Sequence, residues 1–248
     1  MAAEEALVAK KAGKLGKGRS AASRAVRMSG AERHSPRVVL ALPGGSRYLF
    51  ESGYVARMAR RAAMLGAFLA PEGGVEPWIY TARAHRLPVL RLADAAEWIG
   101  DWAVVPPKPL LTGDTPPPGN QLLKNAERFG LFAFDDEAEA VRTITASLPK
   151  DGAPTLVLFH GWALGDDGTP LADQLEAASG ANVFWQFLAD PEYGHVLLRL
   201  DELRAQAPHL TNVNLYRGWS MPQGIPEYFL YRGVLKPFVR WCRQPGRP

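Results

Sequence analysis

An α/β fold is what this 248-residue sequence predicts: a doubly wound, mostly parallel sheet with helices on both faces. Two observations predict it. Strand-like and helix-like stretches alternate from residue 37 to the end of the chain, the order that builds parallel strands joined by crossover helices. The stretches suited to the middle of the sheet, such as TLVLF (155–159) and NVFWQFLA (182–189), are solidly apolar rather than alternating. That pattern marks strands buried on both faces.

Taken in order, RVVLAL (37–42) reads as a buried strand closed by Pro43-Gly44-Gly45. Ser52 is a candidate cap for the helix after it. In that helix Val55, Met58, Ala62, Leu65 and Leu69 recur at helical spacing, and Arg57, Arg60 and Arg61 face away. VEPWIY (75–80) is the second strand; Pro77 has no N–H for a ladder and predicts an edge or a bulge. LPVLRL (87–92) pairs antiparallel with it, and DAAEWI (94–99) is a short helix. Six prolines between 103 and 119 predict a surface loop. Helices follow at 120–129 and 136–148, then the strand from Thr155 to Phe159 and a helix at 170–179 that opens on a proline. NVFWQFLA is the next strand, HVLLRLDEL (195–203) a helix, NVNLY (212–216) the last strand and PEYFLYRGVLKPFVRW (226–241) the terminal helix. Trp78, Trp98, Trp102, Trp185, Trp219 and Trp241 read as packing residues.

The chain is 47% hydrophobic and 22% charged, a globular balance. No apolar run approaches the ~20 residues of a membrane span, and no secretory leader is evident, so a cytoplasmic protein is expected. The one cysteine, Cys242, excludes an internal disulfide framework and a multi-cysteine zinc site, and reads as a half-buried residue. Charge is uneven. Residues 1–35 hold eight basic and three acidic residues, a balance of +5, whereas the rest holds 21 basic and 22 acidic. Residues 1–35, short of large apolar side chains, read as a basic disordered or loosely helical tail, and 36–248 as the folded domain.

His160-Gly161, at the end of an apolar strand, suggests the oxyanion loop of an α/β-hydrolase. That fold requires a G-x-S-x-G elbow downstream. Ser179 and Ser220 do not sit in one, and only 87 residues follow Gly161. The expectation is therefore a non-enzymatic protein, with a hydrolase using His160 as the alternative.

NVFWQFLADPEYGHVLLRLDEL followed by NVNLY resembles the C-terminal half of bacterial von Willebrand factor A domains associated with tellurium resistance. Phe184, Trp185, Gln186 and Phe187, with Leu200, Asp201 and Leu203, carry the likeness. VVLAL, LFESGYVARMARRAAMLGAFL, VEPWIY and the terminal helix are similar at the level of pattern. The likeness runs over roughly 36 to 241.

The resemblance implies a metal-ion-dependent adhesion site: D-x-S-x-S after the first strand, a threonine from a middle loop and an aspartate after the fourth strand. Here Ala41, Pro43 and Gly45 stand at the first three positions, and no aspartate occurs between 36 and 50. Ser46 is the one candidate ligand there, Thr112 or Thr115 the candidate threonine, and His160, Gly161 and Trp162 replace the aspartate run. A crevice with nothing anionic in it is expected, hence no metal and no cofactor. Magnesium enters only if Asp114, Asp166 or Asp167 remodels the site. Arg47, Tyr48, His160 and Trp162 are the candidate surface for a protein partner, of types that carry interface energy. Contact with nucleic acid through residues 1–35 is a further alternative.

Overall fold

A computed structural model describes residues 2–105, 119–149, 152–161, 169–189, 207–219 and 225–244. Its strands are β1 (Arg37–Pro43), β2 (Gly74–Tyr80), β3 (Ala84–Arg86), β4 (Leu90–Arg91), β5 (Thr155–His160), β6 (Val183–Ala189) and β7 (Val213–Arg217). They form one sheet in the order β3-β2-β1-β5-β6-β7, with β4 also on β2. β1, β2, β5, β6 and β7 are mutually parallel, and the two short pieces are antiparallel to β2. The helices are α1 (Ala2–Ser29), α2 (Arg47–Glu51), α3 (Tyr54–Leu69), α4 (Ala95–Trp102), α5 (Gln121–Lys124), α6 (Ala126–Phe129), α7 (Glu137–Ser147), α8 (Thr169–Ala177) and α9 (Glu227–Cys242). The doubly wound sheet is as expected. The helix expected at 195–203 lies outside the described residues. No helix among those described is long and apolar enough to cross a membrane.

The period-2 geometry of a strand explains the solid apolar runs. Val38, Leu40, Leu42, Leu156, Leu158 and Phe184 enter the core on the side of α1, α3 and α9. Val39, Ala41, Val157, Phe159, Trp185 and Phe187 enter the core on the side of α7 and α8. Gln186, between two such residues, is fully buried. It lies opposite Asn214 of β7, donates to the Asn214 carbonyl at 3.2 Å and accepts from Asn214 Nδ2 at 3.1 Å. The glutamine of FWQF and the second asparagine of NVNLY thus satisfy each other, which a buried amide requires. Trp78, Trp98, Trp185, Trp219 and Trp241 are buried and Trp102 packs against the core, all as expected.

Four expectations are corrected. The N-terminal segment is not a free tail: α1 lies along α9 and α3. Gly18, Ala22, Ala25 and Val26 fall on one helical stripe and are buried. Composition suggested disorder because the stripe is made of small residues, yet small residues let helices approach closely. Ser52 does not cap α3; it ends α2, and Gly53, at φ 68°, precedes α3. Pro77 is on a paired strand without a bulge. Its carbonyl accepts from Leu87 N at 2.8 Å, so the face of Pro77 that lacks an N–H points outward, between β3 and β4, and the β1–β2 ladder loses nothing. Arg61 does not face solvent; it is 8% exposed. It donates through Nη1 to the Trp219 carbonyl and through Nε to Glu227 Oε1 at 3.3 Å, tying α3 to the segment after β7 and to the start of α9.

A docked α1 makes a prediction that a tail does not. Ala25→Glu places an unpaired charge in the α1–α9 contact and is expected to lower unfolding stability by about 2 kcal/mol or more. Urea denaturation followed by circular dichroism measures it; an unchanged midpoint contradicts the docked helix.

Candidate functional site

Strand order reverses between β1 and β5, the switch point at which an open α/β sheet of this kind has its crevice. On the β1 side, Pro43-Gly44-Gly45-Ser46 leads into α2. On the β5 side stands His160. The third wall comes from residues 130–136, the loop ahead of α7.

That loop is laced to the strand ends. Phe132 N donates to the Gly44 carbonyl at 2.9 Å, and Asp136 N to the Thr81 carbonyl at 2.9 Å. Thr81 Oγ1 donates to the Phe129 carbonyl at 2.6 Å. Asp136 caps α7 by accepting from Glu139 N at 2.8 Å. Phe132 adopts φ 66°, a left-handed conformation that is strained for a bulky side chain.

The loop delivers Asp135 into the crevice. Its Oδ1 accepts from Gly45 N at 2.7 Å and from Gly44 N at 3.0 Å. Gly45 leaves room for the carboxylate, and Gly44 leaves room for the Thr81 side chain beside it. A Cβ on Gly44 would lie 2.7 Å from Thr81 Cγ2, and one on Gly45 would lie 2.9 Å from the Asp135 carboxyl. Burial raises the Asp135 pKa to about 6, against the opposing pull of the two amide hydrogen bonds.

The expectation of a crevice with nothing anionic in it is thereby corrected. The carboxylate arrives from 90 residues downstream of Gly45 rather than from the loop after β1. The signal was present in the Asp135-Asp136 pair before α7: one aspartate suffices to cap the helix, leaving the other to be accounted for. Among the described residues no group of three His, Cys, Asp or Glu is gathered for a metal ion.

His160 is corrected as well. It is 1% exposed and therefore offers no surface to a partner. Tyr54 Oη and His160 Nε2 are hydrogen-bonded, with the rings edge to face at 4.8 Å, and the Tyr80 hydroxyl donates to the His160 carbonyl. Burial pushes the Tyr80 hydroxyl well above its ordinary value, so it stays a donor.

The remaining candidates divide. Ser46 is half-buried at the start of α2, and its hydroxyl makes no capping bond. Arg47 pairs with Glu51 at 2.7 Å and lies 5.5 Å from the centre of the Phe132 ring. Tyr48 is 61% exposed, and so is Phe134, which sequence reasoning passed over. Thr112, Thr115, Trp162, Asp114, Asp166 and Asp167 lie outside the described residues.

The family described as vWA-TerF-like, the vWA found in the TerF C terminus, matches residues 35–247. No curated protein matches the chain. A solved structure, proximal thread matrix protein 1 from the mussel byssus, is similar at a TM-score of 0.49 and 7% identity. The match covers 83% of this chain and 48% of that one, so this chain spans about half its length. The family match takes in every strand of the sheet and both walls of the crevice, and the chain belongs to the TerF-like von Willebrand factor A family.

Proposed function

We propose that this domain is a non-enzymatic protein-interaction module, a scaffold or adaptor of a bacterial stress or defence assembly related to tellurium resistance, and that it engages its partner without a metal ion. One observation carries the reading: the crevice carboxylate is already occupied by its own backbone. Asp135 Oδ1 is held by Gly44 and Gly45, where relatives of this fold are expected to direct carboxylate and hydroxyl oxygens at magnesium.

Among the described residues the donor set does not suit magnesium, which asks for near-octahedral oxygen ligation with carboxylates offsetting its charge. Ala41, Pro43 and Gly45 stand at the three positions after β1 and His160 at the end of β5. Among the described residues that leaves the outer oxygen of Asp135 and the Ser46 hydroxyl, too few to repay the dehydration of the ion.

The rim suits a protein partner. Tyr48 is exposed on α2 and Phe134 on the loop ahead of α7, and Arg47 of α2 stacks on Phe132 of that loop. Tyrosine, phenylalanine and arginine are enriched in interface cores. This rim replaces His160 as the proposed contact surface. The hydrolase alternative is weakened by the same geometry, since the His160 imidazole is sealed under Tyr54.

Two outcomes are expected. Calorimetric titration with magnesium should give no binding heat, and a partner captured by the domain should be retained in EDTA and lost with Tyr48→Ser/Phe134→Ser. Release on chelation contradicts metal independence, and retention by the double variant contradicts the rim. The second outcome concerns pH. Because the folded-state pKa of Asp135 is raised, the folded chain holds that proton more tightly than the unfolded chain. The associated stability is present at low pH and is lost as pH rises from about 4 to about 6. Asp135→Asn removes this loss. Its stability relative to the parent should therefore improve across that window, by about 3 kcal/mol at most, and stay level above it. Urea unfolding of both proteins between those limits measures it, and a pH-independent difference contradicts the buried carboxylate.

A further inference from the structure

We infer that the groove between α1 and α9 is a second docking site, one that takes an acidic amphipathic helix of a partner protein. It is independent of the crevice, so its failure leaves the rim reading untouched.

The two helices run in the same direction. Gly18 lies beside Glu227 at the start of α9, and Gly30 beside Arg243 just past its end. Along their exposed side is a cavity of about 450 Å³. Its floor is apolar, made of Met28, Tyr228 and Val239; its rim is Arg232, Lys236, Arg240 and Arg243.

Among the described residues the rim cations are uncompensated. All four are exposed, and none forms an ion pair among the described residues. No acidic residue occurs in 16–29 or 228–243. Glu227, the acid of α9, is engaged by Arg61. Exposed Lys17, Arg24 and Arg27 continue the positive face on α1. Residues 1–35 balance to +5, and 227–243, with four basic residues against one acidic, to +3. The chain as a whole is +4, so everything else sums to −4. The fold has brought two basic segments some 200 residues apart onto one side of the molecule.

Helix dipoles do not account for this. A helix C-terminus carries about half a negative charge, felt only within the last turn. That covers Arg240 and Arg243, whereas Arg232 and Lys236 lie further back on the helix.

The apolar component decides the class of partner. Met28 is 67% exposed and Phe229, whose ring is 5.3 Å from that of Tyr228, is 52% exposed. Arg24 lies 5.0 Å from the centre of the Tyr228 ring, a cation–π contact at the floor. A phosphate backbone has no use for a bare methionine and phenylalanine among the cations. An acidic amphipathic helix uses both: its apolar side chains settle on the floor and its carboxylates meet the rim.

The test uses the full chain and fluorescence anisotropy. The probe is a labelled helical peptide with leucines at i and i+4 set among glutamates. Controls are the same peptide with serine for leucine, and single- and double-stranded oligonucleotides. Saturable binding of the leucine probe is expected, weaker by about tenfold with the serine peptide. Binding should be lost in Arg232→Glu/Lys236→Glu/Arg240→Glu and weakened several-fold in Met28→Ala, all exposed positions at which circular dichroism should show the fold unchanged. The inference is overturned by no saturable binding, by equal affinity for the two peptides, or by survival of binding in the charge-reversed protein. It is also overturned if an oligonucleotide binds at least as tightly as the leucine probe and is lost with the same variants, which would make the face a nucleic-acid surface.

Discussion

The hydrogen bonds from Gly44 and Gly45 to Asp135 organise the upper end of this fold. Three segments meet there: the loop after β1, the end of β2 and the loop ahead of α7. The carboxylate can come this close because Gly45 lacks a Cβ, and Gly44 without one lets Thr81 pack against the same turn. It stays although burial disfavours its charge, because Phe132 and Asp136 anchor the loop on either side of it. The strained backbone of Phe132 fits the same picture, since the loop is bent to the carboxylate rather than relaxed around it.

His160 is the counterpart on the other wall. A histidine at a strand end invites a catalytic reading, but Tyr54 and Tyr80 close over it from α3 and β2. One wall is sealed by two tyrosine hydroxyls, on the His160 ring and on its carbonyl, and the other by a carboxylate on amides. What stays exposed at the rim is Tyr48 and Phe134. At the other side of the molecule Arg61, buried between α3 and α9, fixes the terminal helix against which α1 lies.

The strands and their order were legible in the sequence because burial on both faces writes itself as continuous apolar runs, and FWQF with NVNLY identified the family. The docked α1 was not legible. Its contact stripe of Gly18, Ala22 and Ala25 carries little hydrophobicity, and only the partner helix gives it meaning. Arg61 looked like its neighbours Arg57 and Arg60, since a charge at that spacing is ordinarily solvated. Within the site, Ser46, Arg47 and Tyr48 could be read from the loop after β1. Asp135 could not, because a contact across 90 residues leaves no local pattern beyond a spare aspartate before a helix.

The crevice carboxylate is held by its own backbone amides, and we propose that it engages no metal. Amide resonances of Gly44 and Gly45, followed by NMR through a pH titration with and without magnesium, test it most directly. Both amides are expected to shift together with a midpoint at about 6, set by Asp135, and magnesium is expected to move neither. A midpoint in the ordinary carboxylate range, or shifts of both amides on adding magnesium, would contradict it.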